Sequence, residues 1–254
     1  MPRNSSTAWN KPASMSTIPW LDPESLHFPD VSQALEDPNG LLAVGGDLSP
    51  ARLLEAYQHG IFPWYESPQP ILWWSPSPRA VLLPDGVYIN RSLRKTLKRG
   101  GYAVTADRAF DDVVSACAEL SPKRPGTWIT RDMRRAYQRM FELGWAHSIE
   151  VWYGDELAGG LYGLAIGRVF FGESMFSRRR DGSKIALVHL CQLLQARGFV
   201  LIDCQVGNDY LYSMGAQDME RDEFQGILQR HAVVADTPRE AWQDIAPYPM
   251  SEPE

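Results

Sequence analysis

Between Val169 and Val206 the chain reads strand, helix, strand, and this order constrains the fold more than any other feature. The apolar run VFFGESMF passes through the loop SRRRDG into a helix capped by Ser183 and ended by Gly198, which feeds a second apolar run, FVLIDCQV. A right-handed crossover is the default connection for such a unit. Just before it, HSIEVWY alternates strictly between apolar and polar residues, and a Gly-Asp-Glu turn follows. LAGGLYGLAIGRVFFGESMF then reads as two strands joined at Ile166-Gly167-Arg168. These segments together predict an antiparallel meander.

Helices surround that sheet. NRSLRKTLKRG ends at two glycines. Phe110 to Ala118 carries Phe110, Val113, Val114 and Cys117 on one stripe. A third helix, capped by Thr130 and closed at Gly144, places Met133, Ala136, Tyr137, Met140 and Phe141 at helical spacing. Upstream, residues 17–78 are dense in Pro, Gly and Trp. Their clear helix starts with Ser49 as N-cap and Pro50 at the first position and stops at Gly60. IFPWY and PILWWSPSPRA suit a rigid loop platform. The expected division is a disordered polar lead (1–16), a small N-terminal domain (17–78), a larger α+β domain (79–240) and a tail (241–254).

The chain has 254 residues, 44% hydrophobic and 22% charged, which is an ordinary globular composition. No run approaches the ~18 apolar residues of a membrane span. The N-terminus lacks the charged start and apolar stretch of a signal peptide, so a cytoplasmic protein without membrane contact is expected. Cys117, Cys191 and Cys204 are scattered in apolar text and read as buried free thiols, with neither disulfide nor metal expected. A net charge of −6 argues against a uniformly basic nucleic-acid binder but leaves room for a local patch.

Four sets of residues are candidates for function. Asp203 and Gln205 interrupt an apolar strand and, two apart, project from one face. Either neighbouring backbone satisfies both, or they serve a site. Glu173 lies among Phe170, Phe171, Met175 and Phe176, where desolvation makes it either paired or protonated. A salt bridge to one of Arg178, Arg179 or Arg180 is the plain alternative. Arg91, Arg94, Lys95, Lys98 and Arg99 share one helix face with no acidic residue on that helix, which makes the face either simply solvated or a phosphate-binding surface that Arg178 to Arg180 extend. Tyr57, Trp64, Trp73, Trp74 and Trp128 either pack between domains or offer stacking surfaces.

The stretch EDPNGLLAVGGDLSPARLLEAYQHGIFPWY, with ILWWSPSPRAVL, GTWITRDM, HSIEVWYGDELAGGLYG, VFFGESMFSRRRDGSKIALVHL and LIDCQV, resembles the leucyl/phenylalanyl-tRNA-protein transferases over roughly residues 18–235. That resemblance implies a catalytic domain with the GCN5-related acetyltransferase-like fold after a small N-terminal domain. It implies peptide-bond formation without metal or coenzyme: Leu or Phe, and less Met, moves from charged tRNA to proteins beginning with Arg or Lys, marking them for N-end rule degradation.

Carried onto this chain, the resemblance assigns catalysis to Asp203 and Gln205, and to Glu173 as an anion receiving the cationic acceptor terminus. It assigns the donor pocket to Phe170, Met175 and Ile202 with Leu161, Leu190 and Leu194. Trp64, Trp128, Tyr57 and Tyr137 would surround the terminal adenosine, and the helix from Arg91 to Arg99 would contact acceptor-stem phosphates. A monomer is expected. Two other readings stand beside it: an acyl-coenzyme-A N-acetyltransferase, since SRRRDGSK meets the pyrophosphate-loop pattern at Arg179 and Gly182 but departs from it at Lys184, and a non-catalytic tRNA-binding module.

Overall fold

A computed structural model of the chain describes residues 18–119, 126–236 and Trp242. The lead at 1–16 and all of the tail at 241–254 except Trp242 fall outside them. The chain opens with β1 (Trp20–Leu21), β2 (Leu41–Gly45), α1 (Pro50–Gln58), β3 (Phe62–Pro63) and β4 (Leu72–Trp74), whose strands form a sheet in the order β1-β2-β4-β3. The Ser49 hydroxyl accepts from the Arg52 N–H and Pro50 begins α1, as its sequence predicts. Gly60 ends the turn after α1 at φ +71, where a Cβ would lie 2.7 Å from the Phe224 ring.

The second part contains β5 (Arg79–Leu82), α2 (Arg91–Arg99), β6 (Ala103–Ala106), α3 (Phe110–Ala118), α4 (Arg131–Glu142), β7 (Ala146–Tyr153), β8 (Glu156–Ile166) and β9 (Val169–Ser177). It continues with α5 (Gly182–Ala196), β10 (Leu201–Gln205), α6 (Asp209–Ser213), β11 (Gln217–Met219) and α7 (Arg221–His231). Its sheet runs β11-β5-β10-β9-β8-β7-β6. β7, β8 and β9 form the expected antiparallel meander, and β9 and β10, joined through α5, are its one parallel pair among the described residues.

Both faces of this sheet are covered. α3 and α4 pack on one side of β7, β8 and β9, and α5 on the other. The alternation read in HSIEVWY therefore does not produce one wet face: Ala146 through Val151 are all buried. The polar residues among them are satisfied internally. His147 Nδ1 lies 2.8 Å from Asp107 Oδ2, and the Ser148 hydroxyl donates to Glu150 Oε1 at 2.5 Å.

One helix cap is corrected. The N-cap of α5 is Asp181, at φ +64 with no side-chain cap bond, while Ser183 instead shares hydroxyl bonds with Ser177 and Tyr210. The expected boundary at residue 78 falls between the two sheets, and the apolar packing continues across it. One apolar cluster holds Leu53, Tyr57 and Trp73 of the first part together with Val113, Tyr137 and Phe171 of the second. Trp242, assigned to the tail, is 2% exposed and stacks on His147.

Candidate active site

β9 and β10 pair only from Val169 to Phe171 and from Leu201 to Asp203. Beyond that point β9 continues along β8 to Ser177 while β10 stays with β5, so the strands part. A cavity of about 570 Å³ opens in the gap. Its apolar side is made by Leu161, Phe170, Met175, Leu187, Leu190 and Ile202. Of the expected pocket residues, Leu194 is the exception: it is fully buried one turn further along α5 and does not reach the wall. Trp64 and Trp128 also line the cavity, and Trp64, 45% exposed, lies at its opening.

The polar side is set by a bulge in β10. Asp203 faces Val81 and Gln205 faces Ala80, leaving Cys204 as the extra residue and Gln205 at φ +64. Spacing of two therefore fails to send both side chains to one place. Asp203 Oδ1 accepts from Arg79 Nε at 2.8 Å and from the Gln205 backbone N–H at 2.8 Å, and Oδ2 accepts from Arg79 Nη2 at 2.7 Å. The Arg79 guanidinium sits 4.8 Å from the Phe62 ring and 4.9 Å from the Phe224 ring. Both charged groups are buried, and Asp203 is absent from the cavity lining. A bidentate pair at this depth holds geometry well, since breaking it strands a charge.

Gln205 does line the cavity, and its Nε2 donates to Glu173 Oε1 at 2.9 Å. Glu173 Oε1 also contacts the Tyr57 hydroxyl at 2.6 Å, and Oε2 the Tyr137 hydroxyl at 2.6 Å, while the two hydroxyls lie 2.6 Å from each other. Each phenol supplies one proton. An ionised Glu173 leaves two protons for three close oxygen contacts, whereas a protonated one closes the ring. Burial is the main cause that raises the Glu173 pKa to about 7, with Asp203 adding to the rise and the hydrogen bonds from Tyr137, Tyr57 and Gln205 opposing it. Burial and the Glu173 charge push both tyrosines well above their ordinary pKa.

These contacts correct the expected role of Tyr57 and Tyr137. Both rings are fully buried, so neither offers a face for stacking, and each reaches the site through its hydroxyl on Glu173. The alternative of a Glu173 bridge to the nearby arginines also fails. Arg178 pairs with Glu119, Arg179 with Glu156 and Arg180 more loosely with Asp181 at 3.7 Å, so each of the three cations expected to extend the basic surface has an acidic partner. On α2, Arg91, Arg94, Lys95, Lys98 and Arg99 are all exposed, with Leu93 and Leu97 buried beneath, and none of the five forms an ion pair among the described residues. The first N–H groups of α5 are taken: Gly182 N donates to the Arg179 carbonyl and Ser183 N to the Ser177 hydroxyl at 2.7 Å. Two of the N–H groups that a pyrophosphate would use there are therefore already engaged.

Sequence reasoning missed Arg79, Leu187 and Cys204. A cation opening one apolar strand and an anion inside another were visible signals of the Arg79–Asp203 pair. Cys204, read as a buried thiol, lines the cavity, and burial raises its pKa.

The family described as Leucyl/phenylalanyl-tRNA protein transferase matches residues 81–229, and its N-terminal domain matches residues 46–77. The chain is 52% identical over 233 residues to a leucyl/phenylalanyl-tRNA--protein transferase of Cellvibrio japonicus, covering 91% of this chain and 98% of that one. It is 59% identical over 207 residues to one of Aromatoleum aromaticum, covering 82% and 87%. This chain belongs to the leucyl/phenylalanyl-tRNA protein transferase family. Glu173, Asp203 and Gln205 lie inside the matched transferase segment, and Tyr57 and Trp64 inside the N-terminal one. Arg79 falls between the two segments. Among solved structures, L-PGS from Bacillus licheniformis aligns at 13% identity and TM-score 0.37 over 64% of this chain and 55% of that one, a likeness too slight to carry an argument.

Proposed function

We propose that this protein moves an aminoacyl group from the 3′ end of a charged tRNA to the N-terminal amine of a protein. Family membership carries the reaction. The cavity between β9 and β10, apolar on one side and polar on the other, carries the assignment of parts. Leu161, Phe170, Met175, Leu187, Leu190 and Ile202 take the Leu or Phe side chain, and Met less well. Trp64 and Trp128 contact the terminal adenosine. The cations of α2 contact acceptor-stem phosphates without reading sequence.

The acceptor amine, from a chain beginning with Arg or Lys, attacks the ester carbonyl. A C–N bond forms, the bond from that carbon to the ribose oxygen breaks, and the amine proton passes to that oxygen, which leaves as the ribose hydroxyl. Gln205 holds the amine: Nε2 is committed to Glu173, which leaves Oε1 to accept an N–H of the nucleophile. Asp203 fixes the backbone of Gln205 from below and is itself held by Arg79, so its part is positioning. Glu173, the titrating group beside the amine, orients Gln205. The larger domain is GCN5-related acetyltransferase-like, the protein works as a cytoplasmic monomer without cofactor, and its products enter N-end rule degradation.

The test is transfer of radiolabelled Leu or Phe from charged tRNA to a protein beginning with Arg, beside one beginning with Ala. The reading expects label on the Arg acceptor only, and much less with Gln205→Ala. Absence of label from both acceptors would refute it.

A further inference from the structure

We propose that Trp242 is a positioning residue that sets the depth of the donor pocket, acting through Phe170. The inference rests on the assignment of the apolar side of the cavity to the donor side chain. Phe170 is 1% exposed, and it forms part of the cavity wall. Its ring is closed in from two directions. At β8, Gly163 leaves no slack: a Cβ there would lie 2.7 Å from the Phe170 ring, so the ring already rests against the strand backbone. Behind it is Trp242, with ring centroids 5.9 Å apart and planes at 30°.

Trp242 is in turn held by His147, Phe199 and Arg197. It stacks on His147 at 4.0 Å and 7°, and His147 is tethered to Asp107 at 2.8 Å. The Phe199 ring meets it edge-on at 6.5 Å, and the Arg197 guanidinium lies 5.7 Å from its centroid. With β8 blocking one direction, the place where Phe170 can yield to a larger donor is the space the indole fills. Trp242 lies beyond the matched family segment, which ends at residue 229, so this wall is supported from outside it.

Removing the indole leaves a void that Phe170 partly enters, because cores relax only in part around a deleted side chain. The pocket then deepens, favouring Phe over Leu. The experiment measures kcat/KM for Phe-tRNA and Leu-tRNA with wild type, Trp242→Phe, Trp242→Leu and Phe170→Leu, with thermal unfolding of each. The expected result for Trp242→Leu is a rise of about tenfold in the Phe-to-Leu ratio, the scale of one or two methylenes in an apolar pocket. The change should lie mainly in KM, and Trp242→Phe, which keeps part of the ring, should shift the ratio in the same direction by a smaller, still measurable factor of about two to three.

A purely structural role lowers the melting temperature and both activities in step, leaving the ratio fixed, and that result overturns the proposal. Should Trp242→Leu fail to fold, Trp242→Phe carries the test: a smaller shift in the same direction supports the proposal and an unchanged ratio overturns it. A ratio that Phe170→Leu leaves unmoved overturns instead the assignment of the pocket itself.

Discussion

Across the gap between β9 and β10, Leu161, Phe170, Leu187, Leu190 and Ile202 face Glu173 and Gln205, and the two sides are held in different ways. The apolar side is a surface of the core. Its residues keep their places by packing, so loss of one methylene is absorbed by neighbours in part. The polar side is a chain of directed bonds, from Arg79 through Asp203 and Gln205 to Glu173 and the two tyrosines. There, removal of Asp203 leaves the Arg79 guanidinium without its partner, whereas Glu173 keeps its two tyrosine contacts when Gln205 is lost. A site that must grip several related side chains yet aim one amine gains from such a division: tolerance on one side, fixed geometry on the other.

The division is tested most severely at Asp203. Asp203→Ala strands the buried Arg79 guanidinium and should cost roughly 3–5 kcal/mol of stability in urea unfolding. Replacing both partners with Arg79→Met and Asp203→Leu should restore much of that stability without restoring transfer. Recovery of transfer as well would break the polar chain as an explanation.

Next in size, Gln205→Ala should lower transfer about 100-fold, by analogy with loss of one preorganised hydrogen-bonding group, while thermal unfolding changes little. A Leu190→Ala protein, by contrast, should change the ranking of donors more than the rate with the best one.

Glu173→Gln gives a smaller effect that depends on pH. The folded pKa of about 7 lies above the ordinary 4.5, so the folded protein binds the proton more tightly than the unfolded chain. The stability this contributes is full below about pH 4.5 and is lost as pH rises through 7. The variant should lack that fall between pH 4.5 and 7 in a series of unfolding curves. Smallest per residue, Arg94→Ala or Lys95→Ala should weaken tRNA binding alike for all tRNAs and reduce the salt slope by about one each.

Much of this was legible in the sequence, for identifiable reasons. Ser49 and Thr130 cap their helices through their own side chains, a local signal that tertiary context leaves alone. The meander and the β9–α5–β10 unit follow from periodicity. The β10 bulge does not: nothing in LIDCQV announces that Cys204 is an extra residue, and that residue sends Asp203 to Arg79 and Gln205 to Glu173. The burial of Tyr57 and Tyr137 depends on α1 and α4 meeting over β9, a long-range event invisible in either helix. Leu187 and Leu194 look equivalent in a helix apolar nearly all round, and only the path of the split strands selects the first for the wall.

The measurement closest to the central claim is the single-turnover transfer rate against pH, from about 5.5 to 9, for wild type, Glu173→Gln and Asp203→Asn. If Glu173 is the titrating group and Asp203 positions Gln205, the wild-type rate rises through an inflection near pH 7. That inflection disappears in Glu173→Gln and survives, on a lower rate, in Asp203→Asn. An inflection that persists in Glu173→Gln and vanishes in Asp203→Asn would make Asp203 the base and contradict the account.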